Sequence, residues 1–231
     1  MSVTVLSGAD IQLPPRAAAL ARFAVALTAE PWSLTSSVAD DLARQGFGED
    51  AIEAATGVVA MFNYLTRVAD ATGIEFDYTS PLPVFQPDLA RPPAARPSRA
   101  FWPVIPGPAR TFPRFPATSE AWERWRGYVF ESDQPLTHRE RQLLARAAAE
   151  ECCDRWRADL LLEYQPENEG ESQLGEFARK LTRQPWQMQA ADLEALRGAG
   201  YAETALLHAI AVVALQNADS RVAMGRRVGR S

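Results

Sequence analysis

Apolar residues recur along this chain at helical spacing, and the same spacing returns after a long interval. In the first instance Leu20, Phe23 and Leu27 fall at i, i+3 and i+7, one face of an α-helix. Pro31 follows at a break, because its ring cannot continue the preceding helix. A second helix is predicted to run to Gly46, a residue suited to the left-handed position that closes a helix. A third carries Ile52, Ala55, Val59 and Phe62 on one stripe, then Asn63 and Arg67 as an i,i+4 pair. No stretch alternates with strand period long enough to argue for a sheet, so the predicted class is all-α.

The run "LARFAVALTAEPWSL" from Leu20 aligns without a gap with "LGEFARKLTRQPWQM" from Leu174, and the match continues at the same offset to Ala69 and Ala223. Roughly a third of the positions are identical, far above chance for unrelated segments of this length. Phe23 answers to Phe177, Pro31-Trp32 to Pro185-Trp186, Gly46 to Gly200, Val58-Val59 to Val212-Val213, Asn63 to Asn217 and Arg67 to Arg221. The pattern reads as a duplicated three-helix unit. Two further helical segments, "SEAWERWRGYVFES" and "LTHRERQLLARAAAEECCDRWRADLLLEY", precede only the second unit. Most of the chain's 17 prolines lie between the units. That composition forbids helix and favours extended polyproline conformation. Phe101, Trp102, Phe112 and Phe115 are unusual in a free tether, so this segment is predicted to lie across the helical surface or a neighbouring subunit. The division is therefore residues 1–78 as a first, partial helical repeat, 79–117 as a Pro-rich linker, and 118–231 as a second, fuller helical domain.

Composition narrows the functional classes. A chain of 231 residues with a formal charge of −5 suits one large or two small globular domains and argues against nucleic acid as partner. The arginines of the terminal "GRRVGR" complement the negative end of a last helix. The start "MSVTVLSGADIQLPP" has neither the basic nor the apolar region of a signal peptide. No apolar run reaches the ~20 residues that span a bilayer. The two adjacent cysteines make no disulfide framework. A cytoplasmic protein with reduced thiols is expected, with no membrane partner. Two histidines and two adjacent cysteines offer no metal-ligand spacing, and no Gly-rich phosphate loop is present, so no cofactor is expected.

The twice-occurring block "LT…PW……DL……G………V.VVA.FN…R.A…G" resembles the carboxymuconolactone decarboxylase family, and most closely its alkylhydroperoxidase D-like, peroxidase-related branch. The resemblance covers Leu20 to about Asp77 and Leu136 to about Val228. It implies an all-helical bundle, here duplicated, that assembles as a homo-oligomer. In that branch the block follows a Cys-x-x-Cys-x-x-x-His motif with a glutamate about a dozen residues ahead, and the cysteine pair reduces hydroperoxides while Glu and His relay protons. Placing Cys152 on the first motif cysteine puts Glu140 on the glutamate, Arg155 on the second cysteine and Asp159 on the histidine. In the family it is the second cysteine that attacks peroxide, so the motif here is degenerate.

The resemblance thus implies a thiol antioxidant protein with an altered site. Cys152 would be the redox thiol, Glu140 the proton relay and Arg155, one helical turn on, the cation that favours the thiolate. The partners would be a small hydroperoxide and an external thiol reductant. Oxidised sulfur needs another thiol for recovery, and Cys153 serves poorly. Adjacent Cα atoms lie about 3.8 Å apart, shorter than the roughly 4.4–6.8 Å usual for disulfides. Plainer readings stand beside each role. Thr137-x-x-Glu140 is a capping-box signature. Arg155 could pair with Glu151 or Asp159. On a helix the two cysteines point about 100° apart, so at least one packs as a small hydrophobe. His208 reads as a packed histidine, and the repeated Asn–Arg pairs as a buried amide and guanidinium binding neighbouring helix ends. Two alternatives stay open: a non-catalytic oligomeric family member, and an acid–base, decarboxylase-type enzyme using Glu140 and His138.

Overall fold

The computed structural model describes residues 13–74, 94–107 and 110–228, and every regular element among them is helical. Residues 1–12 and much of the predicted linker, residues 79–93, lie outside the described residues. Helix α1 (Pro15–Ala29) starts on a proline, whose missing N–H costs nothing in a first turn, and buries Ala19, Phe23 and Leu27. A single 3₁₀ turn, Pro31–Ser33, leads to α2 (Ser36–Arg44), which closes on Gly46 at φ 77°. Helix α3 (Glu49–Thr72) then runs for 24 residues.

The second half opens with α4 (Pro116–Glu131), α5 (His138–Glu151) and the short α6 (Arg155–Leu160). It continues with α7 (Glu169–Arg183), a 3₁₀ turn at Pro185–Gln187, α8 (Ala190–Gly198) and α9 (Glu203–Val228). The offset that carries Leu20 to Leu174 also carries the first residues of α1, its 3₁₀ turn, α2 and α3 onto those of α7, its turn, α8 and α9. Gly200 repeats the left-handed closure of Gly46, at φ 95°.

Helices α3 and α9 lie against each other along much of their length and form the axis of the molecule. At one crossing, a Cβ on Gly225 would stand 2.5 Å from the Thr56 methyl, so only glycine permits that approach. Each long helix contributes to the core of the other half. Met224 and Val228 of α9 join Phe23, Leu27, Leu34, Leu42 and Ile52 in the first core. Ala60 and Ala71 of α3 join the larger core built from α4, α5, α7 and α9.

The predicted stripe on α3 needs correction at one position. Phe62 points outward, and the buried line is Ile52, Thr56, Ala60, Asn63, Arg67 and Ala71. The polar members of that line are inside because they are hydrogen-bonded there. The predicted continuous helix through the cysteines is corrected too, since α5 stops at Glu151 and α6 restarts at Arg155.

The described linker residues cross this break. Arg96 donates to the Glu150 carbonyl and pairs with Glu151 at 2.9 Å, while Arg99 pairs with Asp159 at 2.5 Å. Further on, Phe112 is buried edge-on against Trp122, with ring centroids 5.3 Å apart.

Candidate functional site

Helix α5 is anchored at its start by the expected capping box. Thr137 Oγ1 accepts from the Glu140 N–H at 3.2 Å, and Glu140 Oε2 accepts from the Thr137 N–H at 2.8 Å. The other carboxylate oxygen accepts from the Tyr201 hydroxyl at 3.0 Å. Both oxygens of Glu140 are thus engaged in local structure.

At its far end α5 closes by hydrogen bonds from the Cys153 N–H to Glu150 O and from the Asp154 N–H to Ala149 O. This is the Schellman pattern, and it puts its C′ residue in the left-handed region. Here that residue is Cys153, at φ 56°, whereas glycines, Gly46 and Gly200, take the left-handed position after α2 and α8. Asp154 then caps α6, accepting from the Arg157 N–H at 3.1 Å and from the Ser220 hydroxyl at 2.8 Å.

The turn drives both sulfurs inward: Cys152 is 2% exposed and Cys153 0%. The Cys152 thiol donates to Asn217 Oδ1 at 3.4 Å, and its sulfur accepts from Arg221 Nη1 at 3.7 Å. Burial pushes the Cys152 thiol above the ordinary range, against the opposing pull of Arg221 and Arg67. Cys153 is pushed up to about 12, again chiefly by burial. Each is held as the neutral thiol at physiological pH, which is the unreactive form.

The cations beside Cys152 belong to a crossed brace between the two long helices. Asn63 donates to Val59 O and Thr28 Oγ1, and Asn217 donates to Val213 O and Thr182 Oγ1, which are offset-related partners. The arginines cross over. Arg67 Nη2 donates to Thr182 O at 2.9 Å, in the last turn of α7, and Arg221 Nη2 donates to Thr28 O at 2.7 Å, in the last turn of α1. Each therefore satisfies a helix-end carbonyl in the opposite half. Burial and the Arg221 charge bring Arg67 down to about 9.

The three residues assigned to the site do not meet. Glu140 and Cys152 stand at opposite ends of one helix, about 18 Å apart at 1.5 Å of rise per residue. Arg155, predicted as the thiolate's cation, instead pairs with Asp159 at 3.4 Å, and the guanidinium on the sulfur is Arg221. The α5–α6 break explains this correction, because Arg155 belongs to a new helix rather than to the next turn of α5. His138 Nε2 contacts the Gln142 amide at 3.1 Å, and His208 lies between Arg141 and Tyr128.

Sequence reasoning missed Arg141, which is fully buried and donates to the carbonyls of Val129 in the last turn of α4 and of Gln134 and Leu136 in the connection to α5. It also missed Asp154, whose placement three residues before Arg157 was a helix-start signal inside a run read as continuous. Among the described residues no cluster of His, Cys, Asp or Glu could hold a metal ion, and no helix is long and apolar enough to cross a membrane. Comparison of the chain with protein families, with characterised proteins and with solved structures finds no match.

Proposed function

We propose that this chain is a non-catalytic, oligomeric helical protein of alkylhydroperoxidase D-like descent, in which the redox position has become a structural junction. The observation that carries this reading is the sealed Cys152 sulfur, held as a thiol by burial in a hydrogen-bonded turn. Peroxide reduction needs an exposed thiolate and a second thiol to recover the sulfenic acid, whereas Cys153 is also buried and its thiol is likewise pushed up. The proton-relay position is taken up by capping.

Support for assembly comes from α3, where Val58, Met61, Phe62 and Leu65 recur at i, i+3, i+4 and i+7 and are exposed. An apolar helix stripe with no cover among the described residues marks an association surface. A second copy of the chain is the simplest occupant, since most soluble oligomers are homo-oligomers. Duplication of the three-helix unit accounts for the matched element bounds and the reciprocal arginines.

The rival reading, a thiol hydroperoxidase working with an external thiol reductant, draws on one observation, the Arg221 guanidinium 3.7 Å from the sulfur. Hydroperoxide consumption with a dithiol reductant separates the two. Wild type and Cys152→Ser are expected to match the protein-free rate. A rate that requires protein and disappears in Cys152→Ser overturns the proposal.

A further inference from the structure

Beside the start of α6, α4 and α9 help line a partly open cavity of about 130 Å³ that no part of the reading above uses. Its walls include Gly107, Trp156, Arg157, Gln216, Val222 and Ala223. One side is apolar, formed by the Trp156 indole and the Val222 and Ala223 side chains. The linker backbone packs closely on that indole, so that a Cβ on Gly107 would meet the ring at 2.7 Å.

The other side is charged, and its charges are unequally satisfied. Asp219 accepts from Trp122 Nε1 at 2.8 Å and from Arg126 Nε at 2.6 Å. Asp154 is occupied by the Ser220 hydroxyl and the Arg157 backbone. Glu123 accepts from the Thr111 hydroxyl and sits 3.7 Å from Arg126. Arg157 is the exception. Its guanidinium faces the Phe130 ring, and its Nε donates to Gln216 Oε1 at 3.3 Å. Among the described residues no carboxylate approaches it within 4 Å. A guanidinium in partial burial normally has a carboxylate or another acceptor across its Nη edge. Burial, and then the neighbouring Arg126 charge, lower its pKa against the opposing pull of Asp219 and Asp154.

We propose that this cavity binds a small organic monocarboxylate, whose two oxygens accept from the free Nη edge of Arg157 and whose short apolar tail lies against Trp156, Val222 and Ala223. The fork of a guanidinium matches two coplanar oxygens. A dianion such as phosphate suits the site less, because Asp154, Asp219 and Glu123 all face the same space. The volume limits the ligand to a few heavy atoms beyond the carboxylate.

Trp156 supplies the readout. Titration of the full chain with butanoate at constant ionic strength is expected to change indole emission saturably, and Trp156→Phe identifies the responding ring. Butanamide, the same shape without the charge, is expected to give no response, and Arg157→Gln is expected to weaken butanoate binding at least tenfold. The amide comparison uses unaltered protein, so a folding defect in the variant leaves the test intact. An equal response to amide and acid, unchanged binding in a folded Arg157→Gln, or no saturable binding of butanoate by calorimetry each overturns the proposal.

Discussion

Helices α3 and α9 match in sequence at one offset and pack on each other, yet the same face of each meets opposite surroundings. On α9, Val212 is 0% and Gln216 1% exposed, and Asp219 is largely covered, because α4, α5 and α6 lie over them. On α3 the offset-related residues are Val58, Phe62 and Leu65, and Val58 is 57% and Phe62 61% exposed. The polar residues are thus on the covered face and the large apolar ones on the open face, the reverse of simple amphipathic reasoning. Burial here follows what packs on a helix rather than the helix's own pattern. Gln216 and Asp219 tolerate cover because Arg157, Ser220, Trp122 and Arg126 satisfy them. Phe62 and Leu65 have no such helices over them among the described residues, and a partner subunit provides the matching cover in our proposal.

The inward faces of the two helices agree, and the largest effects are expected there. Arg67→Met and Arg221→Met each leave a buried helix-end carbonyl without its donor, and each is expected to cost about 2–4 kcal/mol. The two guanidinium groups repel one another, as the lowering of Arg67 by Arg221 indicates. Each single change relieves that repulsion, but the double change relieves it only once. Arg67→Met/Arg221→Met should therefore cost more than the sum of the singles in denaturant unfolding. A double variant that costs less would mean the arginines stabilise each other, and the reciprocal brace would need another explanation.

A smaller effect tests the outward faces by exchanging their residues. Asp219→Leu writes the α3 residue into α9, strands the Trp122 indole and the Arg126 guanidinium, and is expected to cost about 2–3 kcal/mol. Phe62→Gln/Leu65→Asp writes the α9 residues into α3. At exposed positions that exchange should move subunit stability by only about 0.5 kcal/mol, while sedimentation shows dissociation to monomers. Unchanged assembly in that double variant would remove the stripe as the subunit contact.

The helical class, the repeated offset, the capping box and the left-handed Gly46 were legible because each is a local property, set by periodicity, caps or a missing Cβ. The repeated Asn–Arg pairs pointed to helix-end binding, and each arginine donates to such a carbonyl. Their crossing between halves was not legible, since a constant offset does not say which copy an arginine reaches. The exposure of Phe62 was hidden for the same reason: a stripe at helical spacing does not reveal what lies over it. The end of α5 was missed because the residue in the left-handed position is a cysteine, and neither glycine nor proline marks the turn. That one unmarked turn displaced Arg155 from the sulfur and gave the place to Arg221.

Cys153 gives the smallest effect at neutral pH and the clearest pH signature. A non-glycine residue in the left-handed region costs about 1 kcal/mol, and its buried thiol recovers about as much by packing. Cys153→Gly should therefore be nearly neutral at pH 7, in keeping with the left-handed Gly46 and Gly200 that follow α2 and α8. In alkali the two proteins should diverge. The folded state holds the Cys153 proton up to about pH 12, whereas the unfolded chain releases it near the ordinary value of 9.0. The folded state then binds more protons in that window, so the contribution of the thiol is complete below pH 9 and declines as pH rises towards 12. Cys153→Gly lacks this decline, and other titrating groups are common to both proteins. Between pH 8 and pH 10.5 the variant should gain about 2 kcal/mol on the wild type, at 1.36 kcal/mol per pH unit above 9. Matched denaturant unfolding at the two pH values measures this gain. A flat difference would mean that water reaches the sulfur, and the sealed junction on which the non-catalytic reading rests would open to thiol chemistry.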